Sequence, residues 1–186
     1  MYLRVLGSLT IVYGCMFAGK TTLLLRMSTC LQASKYLVFK PNTDTRSSRN
    51  TIRTHNHESN ACLDVAEPME ILSNLTSKTK YVFIDEVQFM DPTIIDTIKH
   101  LLNKDIKVCC AGLLLDARQA YFGSMKTLVS MAAHKIELFA NCKQCSRPAT
   151  VTHYLGSLES QIEIGGKEKY IALCSICKTG TPELKK

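Results

Sequence analysis

The sequence predicts an α/β fold, a mostly parallel sheet flanked by helices, with a small metal-binding unit behind it. Three observations lead there. Apolar runs of strand length alternate with helix-length segments, and the runs are apolar on both faces, as strands buried between two helical layers must be. The first run, "SLTIVYG", leads straight into a glycine-bracketed loop and then a helix. From Cys142 the periodicity gives way to short polar runs between two Cys-x-x-Cys pairs. The expected division is an α/β unit over 1–140 and a small cysteine-bearing unit over 141–186.

Each element follows in order. After the first strand, a helix from Lys20 to Gln32 shows an apolar stripe of Leu24, Met27 and Leu31 at three-four spacing. "KYLVFK" is the second strand and stops at Lys40 and Pro41. The next twenty residues, "PNTDTRSSRNTIRTHNHESN", are polar and aperiodic and read as one long loop, a length that usually marks function or disorder. A helix near Met69 to Leu75 precedes the strand "KYVFID", and a helix from Pro92 through Leu102 precedes "KVCCAGL". "GSMKTLVSMAAH" reads as a helix and "KIELFA" as the last core strand. No internal repeat or low-complexity segment is visible.

At 186 residues with 46% apolar content, the chain suits one domain or one domain plus an appendage, with a sizeable core. No apolar run approaches the ~20 residues of a membrane helix. "MYLRVLGSLTIVYG" runs into a loop that needs its apolar part and shows no small-residue cleavage site, so a cytoplasmic protein is expected. The net charge of +7 suits polyanionic ligands, whether nucleic acid or nucleotide phosphates, and equally a solvated basic surface. Nine cysteines without a secretory signal argue against a disulfide scaffold. Cys15, Cys30, Cys62, Cys109 and Cys110 read mostly as small buried hydrophobes.

Gly14 to Thr21 fits G-x-x-x-x-G-K-[ST]. Behind a buried strand, such a loop turns backbone N–H groups inward around phosphate oxygens, and the following helix offers its positive end. The binding segment is expected to run through Gly14, Cys15, Met16, Phe17, Ala18, Gly19, Lys20, Thr21 and Thr22. Lys20 would reach the phosphates and Thr21 would ligate Mg²⁺. In "YVFIDEVQF" an apolar strand ends at Asp85, the arrangement that holds Mg²⁺ across from a phosphate loop. Glu86 follows at the strand exit, where a carboxylate can accept a proton from an attacking hydroxyl or water. The two motifs indicate NTP hydrolysis or phosphoryl transfer and leave the acceptor open.

Cys142-x-x-Cys145 and Cys174-x-x-Cys177 have 28 residues between them. Two such pairs complete a closed tetrahedral Zn²⁺ site, hence a structural one, tying the segment Lys143 to Leu173 down at its base. His55 and His57, in the long polar loop, read as exposed residues rather than ligands.

"GCMFAGKTT", "KPNTDTR", "RTH", "DEVQF", "YFG" and "GGKEKYIALCSIC" follow one another as in the type II (cytosolic, zinc-containing) thymidine kinases, and the chain resembles that family from about Ser8 to Cys177. The resemblance implies a RecA-like P-loop core with a small zinc domain, usually a homotetramer subject to dTTP feedback, using ATP with Mg²⁺ on thymidine. It implies Glu86 as the base for the 5′-hydroxyl, and Arg46 as a cation stabilising the transferring phosphoryl group. Asp44 would join Thr21 and Asp85 near Mg²⁺ and also touch substrate. Met16, Phe89, Leu113, Phe122, Thr152 and Tyr170 would surround the base. Backbone groups of Ile162, Glu163, Ile164, Gly165 and Gly166 would read the pyrimidine edge. Leu114, Ala117 and Tyr121 stand where many members have Asp, Phe and Pro. The loss at Ala117 opens the pocket and implies tolerance of bulk at the pyrimidine 5-position, with Tyr121 the side chain placed to refill it. The competing readings are a nucleic-acid-stimulated P-loop ATPase and a kinase for another deoxynucleoside. The near-balanced charge between the cysteine pairs speaks against a nucleic-acid-gripping ribbon.

Overall fold

The computed structural model describes residues 7–44, 50–53, 59–156, 166 and 168–179. The strand β1 (Leu9–Gly14) leads through the glycine loop into α1 (Lys20–Thr29), and β2 (Tyr36–Pro41) follows. Next come the short strands β3 (Thr51–Arg53), β4 (Ser59–Ala61) and β5 (Leu63–Val65), then α2 (Glu70–Ser73) and β6 (Tyr81–Ile84). The helix α3 (Ile94–Asn103), β7 (Lys107–Gly112), α4 (Met125–Met131) and β8 (His134–Leu138) complete the core. Its six strands lie in the order β5-β2-β6-β7-β1-β8, and every pairing is parallel.

Alternation along the strands explains the two layers. Leu9 and Ile11 of β1, Val82 and Ile84 of β6, and Val108 and Cys110 of β7 point to one face. There they meet Ile94, Ile98 and Leu101 of α3, and Met125 and Leu128 of α4. Val12, Phe83, Cys109 and Ala111 point to the other face, where Leu24 and Leu25 of α1 cover them. A strand with helices on both sides has no polar face, which is why these runs carry no period-2 signal. In α3 the buried residues Ile94, Thr97, Ile98 and Leu101 keep the three-four spacing of a one-sided helix. Asp91 accepts the Thr93 N–H at 2.9 Å just ahead of it. Burial pushes the Cys109 thiol up to about 12, in keeping with its place in the core; Cys30 is exposed.

The structure departs from the sequence expectations at several elements. The first helix stops at Thr29 rather than Gln32. Ser28 and Thr29 turn their hydroxyls back onto the carbonyls of Leu25 and Arg26, the local competition that weakens a helix at such residues. The segment 41–60 is not one structureless loop. Thr51 faces Ala61 and Ile52 faces Asn60 in an antiparallel pair, and Ile52 buries its side chain against the α1 face of the core. The edge strand β5 was not expected, and α2 is a single turn.

Behind the core, β9 (Ala140–Asn141) pairs antiparallel with β10 (Pro148–Ala149), and β11 (Val151–Tyr154) pairs antiparallel with β12 (Tyr170–Leu173). The short helix α5 (Ser175–Thr179) follows. The segment Lys143 to Leu173 therefore contains three strands and is not a plain loop. Among the described residues no helix is long and apolar enough to cross a membrane.

Candidate active site

Four neighbouring parallel strands, β2, β6, β7 and β1, deliver their C-terminal ends side by side. Just past those ends lie Asp44, the pair Asp85 and Glu86, Leu113, and Cys15 with the rest of the glycine loop. Carboxyl ends of parallel strands are where open α/β sheets place ligands, because loops there are free of the ladder and helix N-termini converge on them.

The loop is shaped by its backbone. Gly14 has φ 154°, and a Cβ there would stand 2.1 Å from the Leu138 carbonyl oxygen, so only glycine lets β1 turn beside β8. Phe17, with φ 67°, takes the left-handed conformation despite its side chain. Lys20, the first residue of α1, is buried and folds back to donate from Nζ to the Cys15 carbonyl at 2.8 Å. Thr21 donates its hydroxyl to Asp85 Oδ2 at 2.9 Å, joining the first turn of α1 to the end of β6. A hydroxyl and a carboxylate in contact are the hard oxygen donors Mg²⁺ prefers, so these residues fit that ion. Asp44 is buried in the turn after β2, its N–H bonded to the Pro41 carbonyl at 3.1 Å. Arg46 lies outside the described residues, as do His55 and His57.

Glu86 is buried and has φ 50°, a left-handed conformation that costs a non-glycine residue about 1–2 kcal/mol. Such strain persists where the surroundings fix it, and it clusters at functional sites. Here a 3₁₀ turn, Val87–Phe89, follows at once and Val87 is fully buried. The Gln88 side chain donates from Nε2 to Glu86 Oε2, and its Oε1 accepts the Leu113 N–H at 3.1 Å. Gln88 stands inside the DEVQF motif that carries the family resemblance, yet no role attaches to it in the sequence, where a glutamine two residues past a carboxylate reads as ordinary polar loop.

Beside the phosphate loop sits a small apolar cluster. Met16, Leu113, Phe122 and Tyr170 are buried together, with Phe17, Phe89, Ala117 and Tyr154 packed around them. Phe89 and Phe122 meet edge to face at 5.2 Å, and the rings of Tyr154 and Tyr170 lie 5.1 Å apart. Thr152 of β11 accepts the Met16 N–H on its hydroxyl at 3.0 Å. The structure thus brings Met16, Phe89, Leu113, Phe122, Tyr170 and Thr152 together from five separate stretches of chain. Tyr121 does not refill the space beside Ala117; its ring is half exposed under the Lys126 ammonium. Of the segment expected to read a ring edge, Gly166 is described, its N–H bonded to Glu168 and its carbonyl to the Tyr170 N–H at 3.0 Å. Ile162, Glu163, Ile164 and Gly165 lie outside the described residues.

The four cysteines converge as well. The sulfurs of Cys142, Cys145, Cys174 and Cys177 all lie within 4.8 Å of one another, with Cys145 and Cys174 at 3.6 Å. A tetrahedral ion about 2.3 Å from each sulfur would set them about 3.8 Å apart, so the cluster fits zinc. The turn between β9 and β10 presents the first pair and the start of α5 the second. Arg147 donates from Nε to Cys145 Sγ at 3.3 Å and holds that thiol below its ordinary value, favouring the thiolate a metal takes.

Comparison with known proteins agrees with this geometry. A family model described as thymidine kinase matches residues 7–178. A protein of Pseudothermotoga lettingae named thymidine kinase is 36% identical over 174 residues, covering 92% of this chain and 94% of its own length. Two solved Pif1 helicase structures resemble the chain weakly. One, unwinding forked double-stranded DNA, gives a TM-score of 0.37 at 15% identity over 71% of this chain and 39% of its own. The other, Bacteroides Pif1 bound to single-stranded DNA, gives 0.35 at 15% identity over 73% and 39%. Likeness at that level supports no argument about ligand. With a phosphate loop, an Asp-Glu strand exit, an aromatic cluster and four convergent cysteines in one chain, and a family match over nearly all of it, this chain belongs to the thymidine kinase family.

Proposed function

We propose that the chain transfers the γ-phosphoryl group of ATP to the 5′-hydroxyl of thymidine, an ATP:thymidine 5′-phosphotransferase. The observation that supports this most is the position of Met16. Its backbone belongs to the phosphate loop, while its side chain is a wall of the aromatic cluster with Leu113, Phe122 and Tyr170. The seat for a flat ring therefore abuts the phosphate cradle, and a nucleoside in one meets a nucleotide in the other.

In this reading the loop from Gly14 to Thr22 cradles the donor phosphates and Lys20 faces them. Thr21, Asp85 and Asp44 would hold Mg²⁺, which would supply positive charge against the phosphates. Glu86 takes the proton from the 5′-hydroxyl as its oxygen attacks the γ-phosphorus and the bond to the ADP oxygen breaks. Arg46 adds positive charge at the transferring group. Met16, Phe89, Leu113, Phe122, Thr152 and Tyr170 enclose the base, and residues 162–166 present backbone groups to its edge. The zinc-binding unit of 141–186, held by Cys142, Cys145, Cys174 and Cys177, positions β11 and β12 over that pocket of the 1–140 unit. A cytoplasmic homotetramer inhibited by dTTP belongs to the same reading.

A mixing experiment tests it. ATP turnover with Mg²⁺ is expected to rise with thymidine and to ignore single-stranded DNA. Stimulation by DNA alone would favour a nucleic-acid-dependent ATPase instead.

A further inference from the structure

We propose that Gln88 is a positioning residue for phosphoryl transfer, one amide bridging the proton acceptor and the floor of the base pocket. The inference rests on the reading of Glu86 as general base. Gln88 is almost fully buried in the 3₁₀ turn behind the pocket, and both ends of its amide are engaged. Oε1 accepts the Leu113 N–H at 3.1 Å, and Nε2 donates to Glu86 Oε2.

The direction of the amide is not a matter of choice. A backbone N–H can only donate, so the atom facing Leu113 must be the amide oxygen, and the NH₂ must face the carboxylate. A reversed amide would set two donors against each other and strand the carboxylate against an oxygen. The bond to Oε2 also stops the Glu86 carboxylate from turning about its last side-chain bond. Its backbone is already set by the left-handed φ of 50°.

Neighbouring residues are cut to admit this link. A Cβ on Gly112 would stand 2.6 Å from Gln88 Oε1 and 3.0 Å from the Met125 sulfur. Gly112 ends β7, and Leu113 comes next, with its N–H on Gln88 and its side chain in the aromatic cluster. One chain of contacts thus runs from the wall of the base pocket, through the Leu113 backbone and the Gln88 amide, to the carboxylate. A base that seats against Leu113 is registered against the group that takes its 5′-proton. Misplacing a catalytic group by about 1 Å costs about 10²-fold in rate, so such a link acts on turnover more than on binding.

Two substitutions separate this role from simple support of the fold. Gln88→Met keeps length and loses both bonds. Gln88→Glu keeps an acceptor for Leu113 and sets a second carboxyl against Glu86, so that the pair shares a proton and Glu86 is less free to accept another. Each is made in the wild-type chain and in Glu86→Gln, with kcat, thymidine KM and thermal unfolding measured. Gln88→Glu is expected to lower kcat about 10–10²-fold while thymidine KM moves by no more than about threefold, and Gln88→Met to lower kcat at least as far. In the Glu86→Gln background neither is expected to cost more than about threefold further, because the group they position is gone. Wild-type kcat in Gln88→Glu, or losses that multiply in the double variants, would overturn the inference and leave the general base standing. Full turnover in Glu86→Gln alone would instead remove the general base, and the inference with it. If Gln88→Met does not fold, the cycle with Gln88→Glu decides.

Discussion

Glu86 sits in a strained backbone conformation at the end of β6, buried and tied to Gln88. Glu86→Gln keeps its shape while removing the proton acceptor. Turnover is expected to fall about 10²–10⁴-fold with ATP and thymidine affinities nearly unchanged, the usual contribution of general-base catalysis. Retained turnover would take Glu86 out of that role. Ala117 supplies a second prediction at this scale. It packs at the margin of the aromatic cluster, and Tyr121 is not part of that cluster, its ring half exposed beside Lys126. Deoxyuridines with larger 5-substituents are expected to remain good substrates, and Ala117→Phe is expected to discriminate against them while sparing thymidine. Rejection of those substrates by the wild type would show the space to be filled. At this scale the sequence was most legible where chemistry dictates the residue type. Lys20, Thr21, Asp85 and the four cysteines stand at spacings their chemistry imposes. Gln88 escaped because its role depends on Leu113, 25 residues away and beside it only after folding.

The elements were legible in proportion to their length. The helix α3 and the two-sided strands β1, β6 and β7 follow from apolar spacing alone, whereas β3, β4 and β5 have three residues each and contain no full period to read. Ile52 is the lone large apolar side chain between Pro41 and Asn60, and a single residue cannot announce a strand. Two predictions belong here. Gly112→Ala forces a methyl group against the Gln88 amide and the Met125 sulfur. It should destabilise the chain by about 1–3 kcal/mol, as overpacking does, and lower kcat beyond what the lost stability explains. An unchanged melting temperature and rate would mean that the end of β7 yields more readily than the geometry implies. For the cysteine cluster, the purified chain is expected to hold about one zinc, and Cys142→Ser to lose both metal and thermal stability, because closing such a site is part of folding. Wild-type stability in a metal-free Cys142→Ser chain would contradict a structural zinc.

Across the whole molecule, the phosphate loop and the cysteine-bearing unit are joined at consecutive residues. Cys15 donates its thiol to the Ala149 carbonyl at 3.2 Å, and Met16 donates its N–H to Thr152 at 3.0 Å. Cys15 also packs in one apolar cluster with Ala140, Cys142, Ala149, Leu173 and Cys174. Disturbing the cysteine cluster should therefore reach the loop and the aromatic pocket together, through β10 and β11. The family resemblance already set Thr152 and Tyr170 beside Met16, whereas the bond from Cys15 to Ala149 was not legible, since a composition change at Cys142 marks where a unit begins but not what it packs against. The junction places the aromatic cluster and the phosphate loop within one continuous body, as the proposed transfer between them requires. The most direct measurement gives the purified chain ATP, Mg²⁺ and one nucleoside at a time: thymidine, deoxyuridine, deoxycytidine, deoxyadenosine or deoxyguanosine, with the products identified by mass and site of phosphorylation. The expectation is thymidine 5′-monophosphate in stoichiometric yield with ADP, and little product from either purine, because polar groups set for a pyrimidine edge are left unpaired when a purine is presented. Preferential phosphorylation of deoxyguanosine, or ATP consumption with no phosphorylated nucleoside, would contradict it.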